Sequence, residues 1–220
     1  MPVPLHKGEK ILRGIPVSPG VSRGKLLVLR KADTSVPRRE LAEGELPAEI
    51  ERLERALVET RQQVLEVQRK VREVMGADEG SIFDAHLLVL EDRVLVDEVI
   101  RLMRKDRVNA EHAYHATAEK YAAALAAVED PYLRERVGDM RDVNARVLSN
   151  LLGRAHGTDL RQLSEPCVVV SHDLTPSDTA QMDRAKVLGF GTDIGSKTSH
   201  TAIMARSLRL PAVVGLKTAS

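Results

Sequence analysis

The chain has 220 residues, which is enough for one large domain or two small ones. Aromatic residues make up only 2% of it and tryptophan is absent, so the core must be aliphatic and few flat side chains remain for stacking on nucleobases. The near balance of 33 basic and 32 acidic residues, a net charge of +1, argues against a protein that binds nucleic acid.

Membrane and disulfide signals are both absent from the pattern. No stretch reaches the roughly 20 apolar residues of a membrane helix, and the N-terminus lacks the apolar core of a signal peptide. We therefore expect a cytoplasmic protein without membrane insertion. The single cysteine, Cys167, precedes the apolar run 168–170, which predicts a buried strand residue and not a reactive thiol. A reducing compartment fits this prediction.

Strands and turns are predicted first, for residues 14–30, where proline and glycine punctuate short apolar runs. The run Lys25–Leu29 has the composition of a buried strand. The pattern then becomes helical. Between Leu46 and Val74 apolar residues recur at alternating steps of four and three, with Thr60 as the one break, which predicts a long helix with a coiled-coil-like seam.

Further helices are predicted after a break at Gly76–Gly80. They cover residues 82–90, 94–103, about 110–128 and 132–152. Asn109 is a preferred N-cap residue for the third of these helices, and Gly153 ends the last. Because the connections between these helices are short, we expect an antiparallel bundle.

The pattern of strands and helices returns after Gly157. Strands are predicted at 166–170, 185–190 and 212–214, and helices at 177–182 and 201–208. Ser177 is the expected cap of the first helix. The simplest account is one α/β domain formed by residues 1–40 and 154–220, interrupted by an α-helical subdomain formed by residues 41–153.

A loop and a helix start near the end of the chain point to phosphate chemistry. Thr198 and Ser199 are preferred N-cap residues, so His200 is expected in or next to the first turn of the helix. The N–H groups and the positive dipole end of such a start favour an anion, phosphate especially, and disfavour a protonated imidazole. Lys197 and Arg206 are nearby cations that could neutralise part of the phosphate charge.

These local features leave two interpretations of His200 open. The ring can be a nucleophile that accepts a phosphoryl group, which needs positioning and charge neutralisation more than covalent help. It can equally be a polar residue at a helix start that is merely hydrogen-bonded.

Five segments resemble Enzyme I of the bacterial sugar phosphotransferase system, a family of phosphoenolpyruvate-utilising enzymes. Residues 198–208, followed by 210–215, closely resemble its active-site signature, and residues 173–181, 19–20 and 82–92 are also similar to it. The resemblance implies an α/β swivelling phosphohistidine domain, discontinuous in sequence, with an inserted antiparallel α-helical bundle. It also implies phosphoryl transfer through a phosphohistidine, from phosphoenolpyruvate in the full-length enzyme to the histidine of HPr, a small phosphocarrier protein.

The resemblance assigns roles to particular residues. His200 corresponds to the histidine that is phosphorylated on Nε2, and Thr179 to the threonine whose hydroxyl bonds to that imidazole in the resting enzyme. The predicted catalytic group is His200, Thr179, Thr198 and Ser199, supported around the phosphate by Gly195, Lys197 and Arg206. The helical subdomain corresponds to the part that docks HPr, with predicted contacts at Asp84, His86, Leu88, Val89, Asp92 and Arg136. HPr presents a basic, partly apolar surface, so a mixed acidic and apolar face is physically reasonable.

The sequence departs from the family in two ways. The family has Gly-Gly-Arg where this chain has Gly195-Ser196-Lys197, and lysine lacks the bidentate fork that guanidinium offers phosphate. We expect activity to be retained, at a lower rate. Enzyme I also continues into a C-terminal barrel that binds phosphoenolpyruvate and magnesium and drives dimerisation. For the 220 residues we therefore expect exchange with HPr only, no cofactor, and magnesium binding and dimerisation only with the barrel.

Two other functions also fit parts of the sequence. The chain could be a non-catalytic module that docks HPr, or a swivelling domain from a dikinase-like enzyme with another partner.

His112 and His115 are spaced like half a metal site, but no second cluster of ligands is evident, so no metal site is predicted.

Overall fold

The computed structural model describes residues 9–29, 35–154, 160, 163–180 and 182–220. The chain divides into two compact units, and each draws on separate stretches of sequence. The first unit consists of Met1–Lys31, Leu160–Leu174 and Met182–Ser220. The second consists of Ala32–Asp159 and Thr175–Gln181. The division differs from the predicted boundaries at residues 32–40, 154–159 and 175–181, which all belong to the second, helical unit.

The first unit, here the α/β unit, contains a mainly parallel sheet. Its strands among the described residues are β1 (Ile15–Ser18), β2 (Lys25–Leu29), β3 (Cys167–Ser171), β4 (Val187–Thr192) and β5 (Ala212–Val214). The strand order is β1-β5-β4-β3-β2, and only the β1–β5 pair is antiparallel. Cys167 is buried on β3, as predicted. One helix of this unit, α8 (His200–Leu208), packs on β1 and β5 through Met204, Ala205 and Leu208.

The predicted strand β2 is present, but it is not buried. Leu26 is 60% exposed and Val28 is 37% exposed. The apolar composition correctly predicted extended structure, because a short apolar run beside turn residues favours a strand wherever the strand lies. Burial depends on what covers each face, and β2 is an edge strand that pairs with β3 alone in the described sheet.

The helical unit is built from seven helices in the described ranges. They are α1 (Leu46–Val74), α2 (Ala77–Gly80), α3 (Ile82–Leu90), α4 (Arg93–Asp106), α5 (Ala110–Ala126), α6 (Pro131–Leu151) and α7 (Pro176–Ala180). Helix α6 packs against α1, α3 and α5, and α4 packs against α5. The core is aliphatic, as the composition predicted, with Phe83 and Tyr114 as its large aromatic members. None of the helices in the described ranges has the length and apolar character of a membrane span.

The buried face of α1 is more polar than the predicted seam. Thr60, which breaks the apolar series, is fully buried and lies on that face with Leu53 and Val64. Its hydroxyl donates to the Ala56 carbonyl at 2.7 Å and accepts from the Asn150 amide of α6 at 2.8 Å. A buried hydroxyl is tolerated when both of its roles are satisfied, so Thr60 extends the seam and does not interrupt it.

The start of α5 is capped differently from the prediction. Asn109 occupies the N-cap position, but its side chain does not cap the helix. Its amide oxygen instead accepts from the Arg39 N–H at 2.8 Å, and its amide nitrogen donates to the Pro37 carbonyl at 2.9 Å. The N–H of Ala110 donates to the buried carboxylate of Glu49 on α1 at 2.9 Å. Asn109 therefore holds the segment that contains Pro37 and Arg39, and Glu49 accepts from an N–H group at the start of α5.

The short helix α7 begins with a reciprocal pair of hydrogen bonds. The Thr175 hydroxyl accepts from the Asp178 N–H at 3.1 Å, and the Asp178 carboxylate accepts from the Thr175 N–H at 3.0 Å. This arrangement is a capping box with Thr175 as the N-cap. The predicted cap, Ser177, is wrong because it lies inside the helix, where it is buried.

Candidate functional site

The loop that leads to His200 starts at the carboxyl end of β4 and is anchored by Asp193. The Asp193 N–H donates to the Ser171 carbonyl at 3.1 Å. Its carboxylate accepts from the Ser220 hydroxyl and from the Ala219 N–H, each at 2.5 Å. These hydrogen bonds hold the pKa of Asp193 below its ordinary value. Asp193, the first residue of the loop, is therefore held in place by hydrogen bonds on several sides.

Gly195 is required by the backbone and by the space around it. Its φ is +126°, a conformation that residues with side chains rarely adopt. A Cβ atom at this position would lie 3.1 Å from the Cβ of Val214 on β5. Glycine is therefore the residue type that fits at position 195, where the loop passes close to the sheet.

Hydroxyl groups shape the rest of the loop. The Ser196 hydroxyl lies 3.1 Å from the Thr198 hydroxyl and accepts from the Thr198 N–H at 3.3 Å. The Ser199 hydroxyl donates to the Ser196 carbonyl at 2.9 Å. Ser196, which stands where the family has the second glycine of Gly-Gly-Arg, therefore organises the turn before the histidine.

His200 is the first residue of α8, as the N-cap signal predicted. Ser199 has the extended backbone of an N-cap, and its hydroxyl accepts from the Ala202 N–H at 3.3 Å. The neighbouring Thr201 is buried and donates to the Leu174 carbonyl at 2.9 Å, which fixes the first turn from the other side. The first turn contains no acidic residue, so the positive dipole end of α8 is not neutralised by its own side chains. The half-buried His200 ring thus lies where a phosphate group would be stabilised.

The two predicted cations, Lys197 in the loop and Arg206 on α8, differ in what they contact. Arg206 is exposed, and its guanidinium donates to the Lys197 carbonyl at 3.2 Å, so it braces the loop from the last turn of α8. Within the described residues the Lys197 ammonium has no ion-pair partner, and its side chain is exposed. Lys197 is therefore the cation of this pair that is available to a phosphate group.

Thr179, predicted to bond the resting imidazole, lies on α7 in the helical unit. It is fully buried, and its hydroxyl donates towards the carbonyls of Thr175 and Pro176 at 3.1 and 3.0 Å. One hydroxyl has one proton, so in this arrangement Thr179 can offer the imidazole only an acceptor. The bond between Thr179 and His200 stays a prediction.

The predicted docking segment has an exposed apolar and acidic side. Asp84 is exposed, Leu88 is 71% exposed and Val89 is half-buried, all on α3. On α4, Val94 is 64% exposed. An open depression follows at the junction of the two helices, lined by Leu90, Glu91, Arg93, Val96 and Asp97.

His86 does not belong to that exposed side. Its side chain is only 1% exposed, and Nε2 lies 3.2 Å from the Asp142 carboxylate of α6. This burial does not favour the predicted direct contact with HPr, which stays a prediction, because α3 turns the residue inward with Phe83 and Leu90.

Three of the predicted contacts have partners within the chain, and the first is Asp84, which accepts from the Gln68 amide at 2.6 Å and lies 3.5 Å from the Arg72 guanidinium. Asp92 is the N-cap of α4 and accepts from the N–H groups of Val94 and Leu95 at 2.9 and 3.3 Å. Arg136 is half-buried on α6 and donates to the buried Asp139 at 3.3 Å.

Two parts of the loop were missed by the sequence interpretation. Asp193 gave the signal of a carboxylate directly after a buried strand, but its partners at 219–220 lie far along the chain. Ser196 was seen only as a departure from glycine, and nothing in the sequence indicates its bond to Thr198. No group of three or more potential metal ligands occurs among the described residues, and His112 and His115 lie together on α5.

Comparisons with known proteins match both parts of the chain to one family. The model of the N-terminal domain of PEP-utilising enzymes matches residues 13–136, and the model of the mobile domain of PEP-utilising enzymes matches residues 163–220. Phosphoenolpyruvate-protein phosphotransferase of Geobacillus stearothermophilus is 43% identical over 210 residues, and that of Bacillus subtilis is 40% identical over 209 residues. These alignments cover 96% and 95% of this chain and 36% of each relative, so the chain spans about a third of their length.

Solved structures show the same relationship. A solution structure of Enzyme I is 39% identical, with a TM-score of 0.75, and the match covers 94% of this chain and 84% of that one. The N-terminal domain of Enzyme 1 – Nitrogen is 26% identical, with a TM-score of 0.64, over 93% of this chain and 83% of that one. The chain therefore belongs to the family of phosphoenolpyruvate-utilising enzymes and corresponds to the N-terminal region of Enzyme I.

Proposed function

We propose that His200 carries a phosphoryl group and exchanges it with the histidine of HPr. The observation that carries this proposal is the position of His200 at the uncompensated N-terminus of α8, behind the Ser199 cap. Membership of a family whose relatives are named phosphoenolpyruvate-protein phosphotransferases supports it. In the relatives' full-length enzyme, the phosphoryl group would come from phosphoenolpyruvate.

The chemical step needs little beyond position and charge. The lone pair of His200 Nε2 forms a new bond to phosphorus while the phosphorus–nitrogen bond on HPr breaks, and its electron pair stays on the leaving imidazole. The N–H groups at the start of α8 and the Lys197 ammonium stabilise the phosphoryl oxygens during transfer. Because lysine is a point charge without the arginine fork, the Lys197 contribution is less directional than in relatives with Gly-Gly-Arg.

We propose that HPr binds to the helical unit before the phosphoryl group is transferred. We assign it to the side of α3 and α4 that exposes Asp84, Leu88 and Val94. Apolar side chains in the centre with acidic ones around them suit a basic, partly apolar partner. Val89, Asp92 and Arg136 are candidates for its rim.

Incubation with radiolabelled phospho-HPr tests the proposal. We expect the chain to take up label that is lost in acid and stable in base, as a phosphohistidine requires. His200→Ala should abolish labelling, whereas His115→Ala, on the helical unit, should leave it unchanged and serves as the control. Label that persists in His200→Ala would contradict the proposal.

A non-catalytic docking module is the second candidate, and the Lys197 departure favours it. Titration with HPr monitored by NMR separates the two functions. Chemical-shift changes on α3 without any uptake of label would establish docking alone.

A further inference from the structure

The buried position of His86 gives it a different role from the exposed residues of its helix. Its Nε2 lies 3.2 Å from the Asp142 carboxylate, and its Nδ1 lies 3.3 Å from the Ile82 carbonyl, one turn earlier on α3. The ring centroid lies 5.2 Å from that of Phe83. His86 thereby connects the backbone of α3 to a side chain of α6, with almost no exposure to solvent.

Both partners of the ring are oxygens that can only accept hydrogen bonds. An imidazole with two protons satisfies both of them, and one with a single proton satisfies one. When Nε2 carries a proton, the contact with Asp142 is directional, because an N–H must point along the line to its acceptor. A purely apolar side chain at this position would pack but would not fix the direction.

Asp142 is itself held in an electrostatic group on the inner side of the helical unit. Arg146 follows it by one turn on α6 and is 5% exposed. Burial lowers the pKa of Arg146, and the nearby carboxylates of Asp142 and Asp178 partly offset this effect. The Arg146 cation and the two carboxylates attract one another on this inner side of the helical unit.

The geometry of α3 makes this contact relevant to recognition. Phe83, His86 and Leu90 face inward, while Asp84 and Leu88 face solvent. A rotation of α3 about its axis would change both sets together. We propose that His86 is a positioning residue for HPr binding: its hydrogen bond to Asp142 fixes the rotation of α3 and so the presentation of Asp84 and Leu88. This inference rests on the proposed function and concerns only its docking step.

Two substitutions of His86 separate a directional role from a packing role. His86→Gln keeps an N–H that can reach Asp142 but loses the ring, and His86→Phe keeps a ring but has no N–H. The readout is the steady-state rate of phosphoryl exchange with phospho-HPr, measured on the full 220-residue chain. We expect His86→Phe to raise KM for HPr about tenfold at an unchanged kcat, as if the competent orientation of α3 were populated about a tenth of the time. His86→Gln should stay close to the unaltered chain.

The inference is overturned if the effects of the two substitutions on KM for HPr are reversed. If Phe preserves KM and Gln raises it, His86 acts through packing, and if either variant loses kcat at constant KM, it acts on the chemistry. Should His86→Phe fail to fold by circular dichroism, His86→Gln decides alone, since a raised KM in that variant contradicts the inference. An unaltered chain that neither binds HPr nor exchanges with it overturns the proposed function as well. Normal exchange with unchanged KM in both variants overturns the positioning role only.

Discussion

Thr60 shows how one hydroxyl contributes to the packing of a long helix. Its bonds to Ala56 and Asn150 are both within the protein interior. Thr60→Val keeps the shape of the side chain but leaves the amide nitrogen of Asn150 with only a 3.4 Å contact to the Gln63 side-chain oxygen. We expect the free energy of unfolding in urea to fall by about 1–2 kcal/mol. The reverse exchange on the outer face of the same helix, Val58→Thr, is the control and should change stability little; equal stability of Thr60→Val and the unaltered chain would contradict the expectation.

Asp193 makes the stability of the α/β unit depend on pH. Its pKa is lower in the folded chain than in the unfolded chain, chiefly because the Ser220 hydroxyl and the Ala219 N–H bond to the carboxylate. The stability that this group contributes is fully present above its ordinary value of 3.8 and is lost as the pH falls through the lowered folded value. We therefore expect Asp193→Asn to destabilise the chain at neutral pH.

The difference between the two proteins should shrink as the pH falls below the ordinary value. Urea unfolding of both proteins across acidic pH measures it. A stability difference that stayed constant down to strongly acidic pH would show that the carboxylate charge is not responsible.

At the scale of single residues, the sequence predicted those positions that depend only on neighbouring residues in the chain. His200 follows Ser199, a preferred N-cap residue, so its place at a helix start was predictable and is confirmed. The burial of Thr60 and His86 was not predictable from the pattern, because each depends on a partner far along the chain. Asn150 lies 90 residues from Thr60, and Asp142 lies 56 residues from His86.

At the scale of helices, Asp92 separates a capping role from a recognition role. Its carboxylate caps α4, and Asn caps as well as Asp does but carries no charge. We expect Asp92→Ala to lower the free energy of unfolding by about 1 kcal/mol and Asp92→Asn to leave it nearly unchanged. If Asp92 also belongs to the docking rim, Asp92→Asn should weaken HPr binding in an NMR titration at low salt. Unaltered binding by this variant would restrict Asp92 to capping.

The cap of α8 allows a similar separation at the site itself. Ser199→Asp retains a preferred N-cap side chain and adds a negative charge favoured by the helix dipole. That charge repels an incoming phosphoryl group next to His200. We expect thermal stability to be retained while labelling from phospho-HPr falls strongly. Ser199→Asn, which caps without charge, is the matched control, and equal labelling of both variants would argue against phosphate binding at this helix end.

Helices and strands were predictable to the extent that their signals are local. The predicted limits of α1, Leu46 and Val74, are those of the structure, because apolar periodicity and Gly76 mark them in the sequence. The N-cap of α7 was predicted two residues late. Thr175 caps the helix as a pair with Asp178, whereas Ser177 is also of a residue type that is preferred at N-caps. The exposure of β2 could not be predicted, because it depends on which strands and helices reach each face of the sheet.

At the scale of the whole molecule, the net charge of +1 cannot steer a basic partner to the chain. Any electrostatic attraction must come from a local surface, and the exposed side of α3 and α4 contains Asp84, Glu91 and Asp97. Such attraction is screened when the Debye length falls from about 10 Å at 0.1 M salt to about 3 Å at 1 M. We expect KM for HPr to rise with sodium chloride while kcat changes little. A kcat that falls at constant KM would place the salt effect on the transfer step.

The division of the chain into two units was only partly visible in the sequence. The change from strand to helix patterns separated most of the residues. The segment 175–181 was assigned with its neighbours to the α/β domain, whereas the structure groups it with the helices. Its membership depends on packing of α7 against α1 and α6, which no local pattern reports.

The pairing of β1 has a consequence for the order in which the chain folds. In the described sheet β1 pairs with β5 alone, and Ile15 lies opposite Val214, so β1 waits for a partner strand that is made about 200 residues later. Most contacts of the helical unit join residues between 35 and 154, which leave the ribosome earlier. Closing the longer loop has the greater entropic cost, and long-range strand pairing is slow. We therefore expect the inserted helices to fold first and to shorten the effective separation of the strands that flank them.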